Sequence, residues 1–353
     1  MHAGPPGEER PASRPPVPET EPAVTQALTV IARAIDEMGA RETRPLLDPP
    51  LQPYRLRPLP GTTLSFFPVV LSTASFGTRV AHEEAGRILA AYLSAGGNAL
   101  DVADAGDEAS LEAVGAVLNG SRRRDQVLLS AEVGANPDHP GLSAARLITA
   151  VDRLLTALRT DRIELLAFAD HDRGTPAEET LTAAAALLSA GKVRFLSAGA
   201  HGGDRLIEAR VIAAQRSLPF VAAVRPSYSL LEREHYERSV APVVTAQGLG
   251  VFPRSPLGGG LLASGARRRR RGEDRTPALP RRTQRILDAV QDIARERRIP
   301  PAAVALAWLA TRPHVVAPIV SVESQEEAAD VLTATAVHLT RAEAASLDRV
   351  SAG

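Results

Sequence analysis

From Tyr54 onward the apolar residues alternate between two rhythms. Short continuous runs occur at Val69–Ser72, Ala99–Asp101, Val127–Ala131, Leu165–Ala169, Val193–Ala198, Val221–Arg225, Gly250–Arg254 and Val316–Val320, and they read as strands covered on both faces. Between them lie longer segments: His82–Ala95, Ser110–Leu118, Ser143–Leu158, Pro176–Ala190, Arg205–Arg216, His235–Gln247, Arg282–Arg297 and Pro301–Ala310 read as helices. A hairpin strand from Leu64 is expected just ahead of the first run. Eight strands joined by helical crossovers predict a closed parallel α/β barrel, the (β/α)8 or TIM fold, over residues 54–353. Two strands end on carboxylates. Asn98-Ala-Leu-Asp-Val-Ala-Asp104 delivers Asp101 and Asp104, and Val127-Leu-Leu-Ser-Ala-Glu132 delivers Glu132. The C-terminal strand ends form the mouth of such a barrel, so these acids are the first candidates for chemistry. No Gly-x-Gly-x-x-Gly follows an early strand, which argues against a doubly wound dinucleotide-binding sheet.

The chain before Tyr54 does not continue this alternation. Residues 1–22 are rich in proline and charge and poor in apolar side chains, a composition expected to stay disordered. Over residues 23–42, Val24, Leu28, Ile31, Ile35 and Met38 recur at helical spacing and predict an extra amphipathic helix. It either packs on the barrel or mediates association with a partner or second subunit. Residues 43–53, with Pro45, Pro49, Pro50 and Pro53, read as a linker.

Composition adds exclusions. Acidic and basic residues balance at 41 each, so no global field favours nucleic acid or an anionic membrane. No apolar run approaches the roughly 18 residues of a membrane span, and the N-terminus lacks a secretory pattern, so a cytoplasmic location is the expectation. Cysteine is absent, which removes disulfides and thiol chemistry. Lys192 is the only lysine, so an amine-dependent reaction would have to use it. Five consecutive arginines, Arg267–Arg271, read as a solvated loop or as a grip for phosphate.

Several stretches bear a resemblance. Gly191-Lys-Val-Arg-Phe-Leu-Ser197, Tyr228-Ser-Leu-Leu-Glu-Arg233, Ser255-Pro-Leu-Gly-Gly-Gly-Leu-Leu262, Asp101-Val-Ala-Asp104, Thr175-Pro-Ala-Glu-Glu-Thr-Leu181 and Val304-Ala-Leu-Ala-Trp308 resemble the aldo/keto reductases in order and spacing, over roughly residues 54–351. The resemblance implies carbonyl reduction with NADPH by an Asp, Tyr, Lys and His at the strand ends. The Asp falls on Asp101. Gly106, Glu132 and Ala169 stand at the Tyr, Lys and His positions. The family's nicotinamide contacts fall on Gly199, Ala200, Arg225 and Arg254, and its 2′-phosphate arginine on Glu323. NADP binding is therefore expected to be weak or lost. Ser255, Leu257 and Gly259, with Ser321 and Ser324 beside the last strand, remain as candidate cofactor contacts.

Hydride transfer leaves an alkoxide that needs a proton donor, and Gly106 and Ala169 supply none. The other candidates are His171, His201, Tyr228 and Tyr92. Glu132 near Asp101 admits three arrangements. Arg225 or Arg254 pairs with the acids; the two act as an acid/base dyad with one pKa raised; or, with Asp104, Asp170, His171 or Asp172, they hold a divalent cation. Three functions correspond: a non-catalytic or regulatory relative, a diverged NADP-dependent oxidoreductase using other groups, and a repurposed acid-dyad or metal-dependent enzyme.

Overall fold

The computed structural model describes residues 54–104, 108–120, 124–169, 172, 174–264 and 279–352. The N-terminal tail, helix and linker, Gly106, Asp170, His171 and the Arg267–Arg271 run lie outside the described residues.

A two-stranded antiparallel hairpin, β1 (Arg57–Pro58) and β2 (Ser65–Phe66), precedes eight parallel strands. These are β3 (Val70–Ser72), β4 (Ala99–Ala103), β5 (Leu128–Val133), β6 (Ile163–Phe168), β7 (Val193–Ala198), β8 (Ala223–Val224), β9 (Gly250–Val251) and β10 (Ile319–Ser321). Their order in the sheet is β10-β3-β4-β5-β6-β7-β8-β9. The segment leading into β10 closes the ring. Val251 N–H donates to His314 O at 2.8 Å, Val316 N–H to Val251 O at 2.9 Å, and Val70 N–H to Pro318 O at 2.9 Å. The predicted (β/α)8 barrel is thus the fold.

Eleven helices are described: α1 (His82–Ser94), α2 (Glu108–Gly120), α3 (Ala144–Ala157), α4 (Ala177–Ser189), α5 (Gly203–Arg216), α6 (Ala241–Gln247), α7 (Leu261–Ser264), α8 (Arg281–Arg297), α9 (Pro301–Ala310), α10 (Gln325–Thr333) and α11 (Arg341–Ser351). Alternate strand residues face outward to the helices or inward to the lumen. The outward set, including Val102, Leu129, Ala131, Val133 and Leu166, joins Ile88, Val151, Leu154 and Trp308 in the main core. The inward set is smaller. Val70, Ala99, Leu165, Ala223 and Phe252 pack on Leu59, Leu64 and Phe66, so the hairpin plugs the N-terminal end of the lumen. The Phe66 and Phe252 rings meet edge-on at 4.8 Å. The opposite end is left for polar groups.

Four segments around the mouth differ from the sequence reading. The runs Val221–Arg225 and Gly250–Arg254 shorten to two residues each, and Pro226 and Pro253, which have no N–H to extend a ladder, stand just beyond their C-terminal limits. The predicted helix His235–Gln247 opens with a wide π turn, Tyr236–Val240, where Pro242 cannot donate into the preceding turn. β5 runs on through Val133 and carries Glu132 inside the strand.

Candidate functional site at the barrel mouth

Register determines which acids meet. Asp101 pairs with Ser130 and Ala103 with Glu132, so Asp101 and Glu132 both point into the lumen from adjacent strands. Arg225 follows β8 and is tied there by its own N–H, which donates to Ala198 O at 2.9 Å. From that anchor its side chain crosses the lumen. Nη2 donates to Asp101 Oδ1 at 2.6 Å, and Nη1 stands 3.8 Å from Glu132 Oε2. Arg254, following β9, closes the array from the rim, its Nη1 donating to Glu132 Oε2 at 3.2 Å. The Arg225 side chain is 2% exposed and the two acids 10% each, whereas Arg254 is 40% exposed. The result is two carboxylates and two guanidiniums graded from buried to open.

The electrostatics favour this pairing. Burial pushes the Asp101 carboxyl above its ordinary range and the Glu132 charge adds to that, while Arg225 and the Ser130 hydroxyl pull it down. Without a cation the two acids could not both ionise at such a site. Arg225 pays in turn: its Nε and Nη1 are buried with no hydrogen-bond acceptor, and each such donor costs about 1–3 kcal/mol. Of the three arrangements left open by the sequence, the structure holds the arginine–carboxylate cluster. Ser130, which faces inward two residues before Glu132, was not singled out from sequence; the period-2 alternation of β5 would have found it.

Other candidates are occupied elsewhere. Asp104 turns away from the lumen, its Oδ2 accepting from Gly134 N–H at 2.9 Å. Asp172 accepts from Leu142 N–H at 2.9 Å, Gly174 N–H at 2.8 Å and Thr175 Oγ1 at 2.6 Å, and these bonds hold its carboxyl below the ordinary range. Neither joins Asp101 and Glu132, and among the described residues no group of three His, Asp or Glu side chains is placed to hold a metal ion. The Tyr92 hydroxyl bridges the starts of β3 and β4, donating within reach of Val69 O (2.8 Å) and Ala99 O (2.9 Å), at the end of the barrel opposite the mouth. The Tyr228 hydroxyl donates to Glu237 Oε1 at 2.8 Å while its ring packs on Tyr236 and Trp308; burial, then Glu237, drives its pKa up. Lys192, at the head of β7, donates to Asp152 Oδ1 at 2.6 Å, also at the far end. His201 lines a cavity of about 300 Å³ between α4 and α5, with Phe168 and Phe220. Ala169, directly after β6, is buried.

The candidate cofactor contacts sit on two loops. Ser255 has a left-handed backbone (φ 50°) and its carbonyl accepts from Gly258 N–H at 2.9 Å, turning the chain so that Leu257 is buried and Gly259 (φ 65°) lies on the turn. Ser321 is the exposed end of β10, and Ser324 caps α10 through Glu327 N–H at 3.2 Å. Arg79 Nε stands 3.4 Å from Glu323 Oε1, so Glu323 carries a counter-ion. At Gly199, a Cβ would lie 2.4 Å from Phe168 O, so no side chain fits there without moving β6.

A closed parallel barrel whose charged groups gather at the C-terminal strand ends is a (β/α)8 barrel with its candidate site at the mouth. Residues 68–352 match the model of the aldo/keto reductase family, and this chain belongs to that family. It is similar to an uncharacterised oxidoreductase of Bacillus subtilis, YrpG, at 32% identity over 62% of this chain and 70% of that protein. It is similar to the aldo-keto reductase AMT2 of Alternaria alternata at 31% identity over 60% of this chain, and there it spans only 58% of the relative's length. A rice protein named as a probable voltage-gated potassium channel subunit beta is 26% identical over 68% of this chain and 78% of its own length. Among the described residues no helix is long and apolar enough to cross a membrane.

Proposed function

We propose that this chain is a non-reducing member of its family, a regulatory or ligand-binding barrel. The observation that carries the reading is the Arg225–Asp101 pair at 2.6 Å in the floor of the mouth. A carbonyl reductase needs a proton donor poised near neutral pH beside the substrate oxygen. Here a permanently charged guanidinium occupies the lumen, Asp101 is its acceptor, and the hydroxyls of Tyr92 and Tyr228 are committed elsewhere. Glu323, standing where the family resemblance puts an arginine, offers no charge-assisted partner to a 2′-phosphate. That relatives include a protein named as a channel subunit as well as proteins named as reductases is compatible with a barrel kept for binding.

Calorimetric titration with NADPH, NADP and NADH at moderate salt tests the reading. No heat of binding at millimolar cofactor is the expected result. Micromolar binding of any of the three would overturn it and favour a diverged oxidoreductase, the reading that the names of the Bacillus and Alternaria relatives suggest.

A further inference from the structure

Outside the lumen, a cavity of about 190 Å³ lies between the loops that follow β4 and β5 and one face of α3. Arg146, Ala150 and Arg153 recur on α3 at helical spacing, so two guanidiniums flank a stretch of the helix that carries only small side chains. The loop after β5 brings Asn136 and His139 to the same space, and Asp104 follows directly from β4. His139, Arg146 and Thr149 are exposed while Asp104 is 1% exposed, so the cavity runs from an open rim to a buried end at the acid. The bonds around Asp104 leave one atom over. Asn136 Nδ2 donates to its carbonyl at 2.8 Å, Arg153 Nη2 donates to the same carbonyl, and Gly134 N–H takes Oδ2 at 2.9 Å. Oδ1 is buried with no donor, which costs free energy until something donates to it. The arginines have the opposite surplus. Arg146 Nη1 donates to Pro140 O, and the second bond is the one from Arg153 Nη2; both side chains are pinned, yet Nε and Nη2 of Arg146 and Nε and Nη1 of Arg153 reach no acceptor among the described residues. Glu108 Oε2, at 3.9 Å from Arg153 Nη1, is too far for a hydrogen bond. Asp172, whose charge Arg146 also faces, is already satisfied by its own three donors.

We propose that this cavity binds a singly protonated phosphoryl group, with Arg146, Arg153 and the Thr149 hydroxyl donating to its oxygens and its one P–O–H donating to Asp104 Oδ1. Three observations select this ligand. Among the described residues the charged lining is two guanidiniums, with the His139 imidazole beside them, against one carboxylate, so the site calls for an anion. Oδ1 is an acceptor, so the anion must bring a proton of its own; sulfate and simple carboxylates bring none near neutral pH. The volume lies below the roughly 300 Å³ at which pockets for drug-sized ligands begin, which suits a group of a few heavy atoms and excludes a dinucleotide. A phosphoryl group loses its second proton near pH ~6. Burial pushes the Asp104 carboxyl above its ordinary range, with Gly134 N–H and Arg153 pulling the other way, and this helps retain a proton shared between the two oxygens. The inference is independent of how the mouth is read.

Calorimetric titration of the full-length chain at neutral pH with inorganic phosphate, phenyl phosphate and sodium sulfate tests this. Saturable binding of at least one phosphate compound is expected, with a Kd below about 1 mM and at least about tenfold tighter than that of sulfate. Tighter binding of inorganic phosphate would identify the free ion as the ligand, and tighter binding of phenyl phosphate a phosphate monoester; either supports the site. Asp104→Asn keeps an acceptor for Gly134 N–H and presents an amide N–H where Oδ1 stood, so it should bring sulfate level with phosphate. Thr149→Phe fills the cavity from the exposed side of α3 and leaves every charge in place; phosphate binding should weaken at least about tenfold. No saturable binding at tens of millimolar phosphate would overturn the proposal and leave Oδ1 to water alone. Sulfate bound as tightly as phosphate by the parent chain, or a preference that survives Asp104→Asn, would overturn the role of Oδ1. Unchanged phosphate binding in Thr149→Phe would place the anion elsewhere, such as on the Arg267–Arg271 run, and overturn the site itself.

Discussion

Replacing Arg225 by methionine keeps most of the side-chain volume and deletes the charge. Asp101 and Glu132 would then face each other in the lumen with only half-exposed Arg254 nearby. Removing one partner of a buried pair costs about 3–5 kcal/mol, because the remaining charge is uncompensated. Relief of the two unpartnered Arg225 donors offsets part of that, which places the expectation toward the lower end. An unfolding entropy of about 2.1 cal/mol/K per residue over roughly 300 residues converts 3–5 kcal/mol into a melting temperature lowered by about 5–8 °C. The pH dependence is the sharper diagnostic. Asp101 already titrates above its ordinary range, so the folded state holds that proton more tightly than the unfolded chain does. Its contribution is then fully present below the ordinary carboxylate range, near pH ~4, and is lost as pH rises through the folded value. Deleting Arg225 moves the folded value further up. Urea and thermal unfolding across this range should therefore find Arg225→Met close to the parent in acid and increasingly weaker toward neutrality, with Arg225→Met/Asp101→Asn recovering most of the loss. A deficit below about 1 kcal/mol at neutral pH, or one independent of pH, would refute the claim that Arg225 neutralises the two acids.

Two further expectations concern the frame around the mouth. Asp348 Oδ1 accepts from Trp308 Nε1 at 3.0 Å, Arg312 Nη1 at 3.1 Å and Arg233 Nη1 at 3.3 Å, and so fastens α11 to the barrel. Asp348→Ala should cost about 1–2 kcal/mol and shift the emission of Trp308, the sole tryptophan; an unchanged spectrum and melting curve would show that the helix is held by other contacts. Gly115→Ala sets helix propensity against sterics. Propensity favours alanine by about 1 kcal/mol, but the new Cβ would lie 2.5 Å from Leu158 O at the end of α3. Net destabilisation of about 1–3 kcal/mol is expected, and a variant more stable than the parent in urea would contradict that packing.

Much of the architecture was legible along the chain because it follows from local periodicity. Eight apolar runs separated by helical segments could bury both sheet faces only as a parallel α/β layer structure, and β7 (Val193–Ala198) and α9 (Pro301–Ala310) occupy the predicted residues. Where one residue overrides the pattern the limits moved, as at Pro226, Pro253 and Pro242. The sequence also placed Asp101 and Glu132 at the mouth, since both stand at the C-terminal ends of apolar runs. Asp172 stood with them as an acid near a strand end, and the loop backbone donors of Leu142 and Gly174 draw it aside; Asp104, three residues beyond Asp101, falls on the outward side of the alternation and is held there by Gly134 N–H. The sequence could not choose among an ion cluster, a dyad and a metal site. That depends on whether a guanidinium anchored after β8, 124 residues away from Asp101, reaches across a closed lumen to within 2.6 Å of it. Closure of the ring sets that distance, and no local rhythm encodes it.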